Sequence, residues 1–187
     1  MRRKTLDTLL SSLGLLLALL LLVGGGLLTW ASSFAQGQVH DQLAAQKITM
    51  PSGKQLEDPA IKPYLEKYAG QEMTTGEQAK AFADHYIQVH MDKQSGGRTY
   101  EEVSGEFMKK SKDPAADQTE LKKLGELRQS LFMGNSLRSM LLTAYAFATM
   151  GTIARFAAIA AYVGSALMLL LGLLGLRHAR RAGDATV

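Results

Sequence analysis

Four histidines, His40, His85, His90 and His178, carry most of the chemical reach of this chain, because it contains no cysteine. That absence excludes disulfides, thiolate nucleophiles and cysteine metal sites. A zinc pair on one helix needs ligands three or four residues apart. His85 and His90 are five apart, roughly 140° around a helix, and do not share a face. Asp84 can orient His85 and carboxylates are plentiful, so a metal site built from His85, His90 and a carboxylate is the one enzymatic reading the residues allow. Their spacing favours ordinary surface histidines instead. His178 belongs with a cluster of arginines.

Other catalytic signatures are missing. There is no nucleotide-binding loop, nucleophile elbow or helical zinc motif. Ser95-Gly96-Gly97 is a turn, since no strand precedes it to make a phosphate cradle. Tyr64, Tyr68, Tyr86 and Phe82 fall at helical spacing and read as core rather than as the lining of a ligand groove. No residue is therefore assigned a catalytic, cofactor-binding or metal-binding role, and no cofactor is expected.

The elements that position these residues are organised by an apolar tract over residues 137–176, which holds only two charges, Arg138 and Arg155. Arg155 divides it into 139–154 and 156–176. About 20 apolar residues cross a bilayer, so 156–176 reads as a transmembrane helix. Arg155 itself pairs with a carboxylate, binds a lipid phosphate, or marks the outer boundary by snorkelling. Within 156–176, Ala157, Ala161 and Ser165 recur every four residues, as do Ala160 and Gly164. This spacing permits close approach to another span or to a second copy.

A second apolar run covers residues 9–31, after Arg2, Arg3 and Lys4 and with Trp30 near its far end. Signal peptides have apolar regions of about 7–15 residues, so this longer run reads as an uncleaved anchor, although Ser33-Phe34-Ala35 offers a weak cleavage site. Gly24, Gly25 and Gly26 permit either a close helix contact or a kink. Residues 34–136 carry 13 basic and 15 acidic side chains, so the excess positive charge lies at the chain ends. Such a distribution speaks of membrane topology and not of nucleic-acid binding. Positive charge stays cytoplasmic, which places both termini inside and the middle outside.

The middle reads as helices separated by turns. Residues 36–46 continue outward from the first span, and Met50-Pro51-Ser52-Gly53 breaks them. Asp58-Pro59 opens a short helix towards Gly70, with Pro63 bending or restarting it. Thr75 with Gln78 and Thr99 with Glu102 have capping-box spacing and start two further helices. The first continues through Gln94 with Ala79, Phe82, Ala83, Tyr86, Ile87 and Val89 on one stripe. Asp113-Pro114 is expected to start another helix, and Gly134-Asn135-Ser136 to interrupt or cap it. Strand signals are poor. Residues 139–154 are apolar around most of their circumference. The simplest arrangement is a central helix with Leu141, Leu142, Tyr145, Phe147 and Met150 shielded by neighbours. The runner-up lies flat at the membrane interface.

The expected fold is thus an all-α membrane protein with two transmembrane helices and a helical extracytoplasmic domain between them. Residues 1-8 form a cytoplasmic basic N-terminus, 9-31 the first transmembrane helix and 32-136 the extracytoplasmic domain. Residues 137-154 are an apolar helix, central in that domain or interfacial. Residues 156-176 form the second transmembrane helix and 177-187 a cytoplasmic basic tail.

Residues 5–30, Val39-His-Asp-Gln-Leu-Ala-Ala-Gln-Lys47, Tyr68-Ala-Gly-Gln71 and Leu141-Leu-Thr-Ala-Tyr-Ala-Phe-Ala-Thr-Met-Gly151 resemble a family of uncharacterised two-span membrane proteins of high-GC Gram-positive bacteria. Its members often carry the name aromatic ring-opening dioxygenase. That name implies an iron site of histidines plus a carboxylate. Only His40, His85 and His90 lie in the outer domain, without ligand spacing, which argues against it. Two functions remain. One is a non-enzymatic membrane protein whose outer domain scaffolds, senses or binds a partner. The other is a metal-dependent, dioxygenase-like enzyme using His85, His90 and a carboxylate. Expected partners are the lipid bilayer and a protein partner or homo-oligomer through the transmembrane helices, with no nucleic acid.

Overall fold

The computed structural model describes residues 3–181, so Met1, Arg2 and residues 182–187 of the expected basic ends lie outside the described residues. The described residues contain helices and no strand. In order these are α1 (Arg3–Ala45), α2 (Lys62–Leu65), α3 (Gly76–Phe82), α4 (Gln88–Ser95), α5 (Tyr100–Lys110) and α6 (Gln118–Arg181). Short 3-10 turns cover Gly53–Leu56 and Glu66–Tyr68, and a π-helical turn, Ala83–Ile87, joins α3 to α4. The chain forms two compact units, Met1–Gln36 with Met150–Val187, and Gly37–Thr149.

In the first unit, α1 and α6 pair antiparallel. Asp7 lies beside His178, Ser165 beside Ala18, and Gln36 beside Thr152. Both helices are long and apolar enough to cross a membrane. Many of their leucines point away from the partner helix: Leu13, Leu20, Leu27, Leu167 and Leu171 are all exposed. Helices of a soluble core would turn such residues inward, whereas hydrocarbon accepts them.

The faces that meet are small instead. On α1 the buried positions are Ser11, Ala18, Gly25 and Ser32; on α6 they are Gly151, Ala158, Ser165, Gly172 and Ala179. Each series advances by seven residues, the repeat of a left-handed supercoil. Of the small residues expected at a four-residue stride, Ser165 lies in this seam, whereas Ala157 and Ala160 are exposed. Small residues let two backbones approach closely. A Cβ on Gly172 would lie 2.8 Å from Leu15, and one on Gly25 would lie 2.7 Å from the Tyr162 ring. Gly24 and Gly26 have open space, and α1 runs unbroken through all three glycines.

The second unit is built around two apolar clusters. One joins Val39 and Leu43 of α1 to Met50, Leu56, Ile61, Leu65, Met73, Ala79 and Ala83, and to Leu141 and Ala148 of α6. The other joins Met91, Val103, Leu124 and Leu131. An antiparallel bridge between Thr49 and Glu72, with Met50 N–H donating to the Gln71 carbonyl at 2.8 Å, closes the segment that carries α2. The sequence Asp58-Pro59 makes a turn, and the helix starts only at Lys62 with Pro63 in its first turn. Both capping boxes form: Gln78 N–H donates to Thr75 Oγ1 and Glu102 N–H to Thr99 Oγ1, each at 3.3 Å.

Three expectations about the last helix are corrected. It starts at Gln118, after Asp117 accepts from Thr119 N–H at 2.8 Å, and Pro114 lies in the preceding turn. Gly134-Asn135-Ser136 does not interrupt it. Gly134 is a packing site, since a Cβ there would fall 2.5 Å from Met91 Sδ. As expected of a helix running on into the second span, it continues through Arg155, a good helix former. Residues 139–154 are also not shielded all round. Leu141 and Ala148 are buried and Leu142 and Tyr145 half-buried, but Phe147 and Met150 are 53% and 63% exposed.

Gly76 shows how tightly α3 lies on α6. A Cβ there would meet the Ala148 Cβ at 2.5 Å and the Tyr145 Cα at 3.1 Å, and neither backbone can yield. Gly105, exposed within α5, meets nothing within 4 Å. Gly76→Ala is expected to destabilise the protein by about 1–3 kcal/mol through overpacking. Gly105→Ala is expected to stabilise it by about 0.5–1 kcal/mol through helix propensity. Thermal unfolding of the purified full chain checks both signs.

Candidate functional site

The histidines are placed apart and each is engaged locally. His85, in the π-helical turn, stacks flat on Tyr64, with ring centroids 3.5 Å apart and planes 2° from parallel. His90 Nδ1–H donates to the Tyr86 carbonyl at 2.7 Å. His40 meets its neighbour Asp41 at 3.1 Å on an exposed surface. Among the described residues no group of three His, Asp or Glu side chains is placed to hold a metal ion. Of the expected core aromatics, Phe82, Tyr86 and Tyr68 pack against the first apolar cluster, whereas Tyr64 is exposed and covers His85.

The π-helical turn has a packing cause. The positions Ala83, Met91 and Ser95 are buried, with Ile87 half-buried between them, in a four-residue stride. On an ordinary α-helix such a stride drifts by about 40° per step, and one wider turn absorbs part of that drift. The turn also presents Asp84 to α6. Arg138 donates from Nη2 to Asp84 Oδ1 at 3.2 Å and from Nε to the Ala83 carbonyl at 3.0 Å, and Lys80 Nζ reaches Asp84 Oδ2 at 2.5 Å.

Asp84 therefore sits between two cations with 24% of its side chain exposed. Burial raises its pKa, but the hydrogen bonds and charges of Lys80 and Arg138 outweigh that, and the carboxyl is held below its ordinary value of 3.8. The hydrogen bond to Asp84 raises Lys80 in turn. This is a structural strut between α6 and the π-helical turn, with every partner spoken for.

A different arrangement occurs in the paired unit, at the end of the α1–α6 seam remote from Asp7. There a groove of about 790 Å³ is lined by Thr29, Ser32, Ser33 and Gln36 of α1 and by Arg155 and Tyr162 of α6, among others. Tyr162 and Thr29 hydroxyls lie 2.9 Å apart, and Thr29 donates to the Gly25 carbonyl, so Tyr162 supplies the proton between them. Gln36 Nε2 donates to Thr152 Oγ1 at 3.2 Å. Arg155 has no ion-pair partner among the described residues. Of its three expected roles, the carboxylate pair is not found among the described residues. The groove residues on α1 were missed in the sequence, although Thr29, Ser32, Ser33 and Gln36 repeat at helical spacing where the apolar run ends.

At the opposite end of the seam, Asp7 Oδ2 is enclosed without a hydrogen bond. His178 Nε2 approaches it at 3.9 Å, close enough for an ion pair when the ring is protonated and too long for a hydrogen bond. No protein-family model, curated protein or solved structure matches the chain.

The strut generates a pH prediction. A carboxyl with a depressed folded pKa contributes stability that is present above its unfolded value and lost as pH falls through the folded one. Asp84→Asn is expected to lower stability near neutral pH by about 1–2 kcal/mol, between the values for exposed and buried pairs. The gap from the wild type should close as pH drops below 3.8. Melting temperatures of the two proteins across that range measure it.

Proposed function

We propose that the protein is a non-enzymatic integral membrane protein whose helical unit binds a protein partner outside the cytoplasm. The observation that carries this reading is a stripe on α6. Met133, Leu137, Met140 and Phe147 are 52–69% exposed and recur at helical spacing within Gly37–Thr149. Contiguous exposed apolar surface on a folded unit is a mark of an interaction site. The same helix buries its other face in that unit's two clusters, so the stripe is not left over from a loosely packed element.

Topology completes the proposal. Positive charge at both chain ends favours cytoplasmic termini, and two crossings then place the helical unit on the extracytoplasmic side. Helix α6 has 64 residues, about three times the length one crossing requires, which leaves its first half free to serve that unit. The alternative, a metal-dependent enzyme, finds less support: His85 is covered by Tyr64, and among the described residues no carboxylate joins it and His90 in a metal-binding group.

The test is site-specific crosslinking in membranes from a photoreactive residue at Phe147, in the wild-type background and with Leu137→Glu and Met140→Glu combined. Because both positions are exposed, the double variant should change stability by about 0.5 kcal/mol or less per site. The expected result is a discrete crosslinked protein, lost in the double variant while thermal stability is kept. Crosslinks to lipid alone, or a protein adduct that survives both charges, would contradict the proposal.

A further inference from the structure

We propose that the Arg155 groove is a binding site for the phosphate group of a membrane phospholipid. The groove collects unusual chemistry for its place in the chain. Arg155 is the sole formal charge between Ser139 and Leu176, and α1 carries none between Thr8 and His40. A guanidinium on an apolar segment is costly unless it meets a counter-ion or water, and membrane arginines mark ligand or lipid contacts for that reason. Here, among the described residues, no carboxylate supplies the counter-charge. The guanidinium offers planar, paired N–H donors, which match the oxygens of a phosphodiester.

The remaining lining sorts into a wall and a set of donors. Tyr162 donates to Thr29, which donates to the Gly25 carbonyl, and the two side chains form a fixed wall. The Ser32 and Ser33 hydroxyls line the same groove and, among the described residues, make no side-chain hydrogen bond, so they can turn to an anion. Phe156 and Ile159 give the groove an apolar side on which an acyl chain or glycerol can lie. Trp30 and Phe34 stack beside it at 5.7 Å, both on the exposed face of α1. Aromatic side chains of this kind settle at headgroup depth. A cation, two uncommitted hydroxyls, an apolar side and an aromatic belt together describe a phospholipid headgroup more closely than a water-borne anion.

Trp30 makes the site measurable, because it is the chain's one tryptophan and adjoins Thr29 of the groove. The full-length protein would be placed in bilayers of phosphatidylcholine with increasing brominated phosphatidylglycerol, and in the reverse mixture. Bromine quenches Trp30 only at close range, so the basic tail at the other end of the seam does not contribute. The wild type should prefer phosphatidylglycerol by about fivefold, the size of one arginine's attraction to an anionic headgroup. Arg155→Gln should reduce that preference to none, and Arg155→Lys, which keeps the charge, should retain part of it. Equal quenching by both lipids in the wild type would overturn the proposal, as would a preference unchanged in Arg155→Gln. A preference abolished by inorganic phosphate in the buffer would assign the groove to a free anion and overturn the lipid source.

Discussion

The contact on which the paired-helix unit depends is a seam of small side chains between α1 and α6. At its middle, the Ser165 hydroxyl donates to the Ala18 carbonyl at 2.7 Å. Lipid gives two apolar helices no hydrophobic reason to associate, so packing and hydrogen bonding must hold them. Seven-residue spacing keeps Ser11, Ala18, Gly25 and Ser32 facing Gly151, Ala158, Ser165 and Gly172 along the pair. The leucines are thereby directed outward, where hydrocarbon is the medium that suits them. One consequence is that this small-residue face is already occupied within the chain.

The helical unit follows a different rule, because its buried surface comes from short helices gathered against one long one. Gly76 and Gly134 let α3 and Met91 of α4 approach α6 at two points along its length. Arg138 then fixes the intervening π-helical turn through Asp84 and the Ala83 carbonyl. Packing on one side leaves α6 with an uncovered stripe on the other, and the proposed partner surface rests on that asymmetry.

Local signals were the legible part of the fold. The capping boxes at Thr75 and Thr99 are read from four residues each, and both form as spaced. Apolar length sufficed to find two helices that could cross a membrane. What was illegible depends on distant partners. Gly134-Asn135-Ser136 has the composition of a break, yet Met91 fills the space that Gly134 leaves, and the helix continues. Pro114 looked like a helix start, whereas Asp117 followed by Glu120 was the better signal. The all-apolar look of residues 139–154 concealed that Leu141 and Ala148 face a core while Phe147 faces out. For the candidate site, the lone Arg155 was picked out from sequence, whereas the hydroxyls on α1 were passed over. Their convergence was not, because it follows from the register of the seam.

Since the chain has no cysteine, that register can be tested without background. The direct measurement is oxidative or short-linker crosslinking of Ala18→Cys with Ser165→Cys in membranes, beside Leu20→Cys with Val163→Cys, two exposed positions nearby. The seam predicts rapid intramolecular closure of the first pair and none of the second, with the product running as a monomer on a denaturing gel. Equal reaction of both pairs, or dimers formed through Ala18→Cys alone, would contradict it.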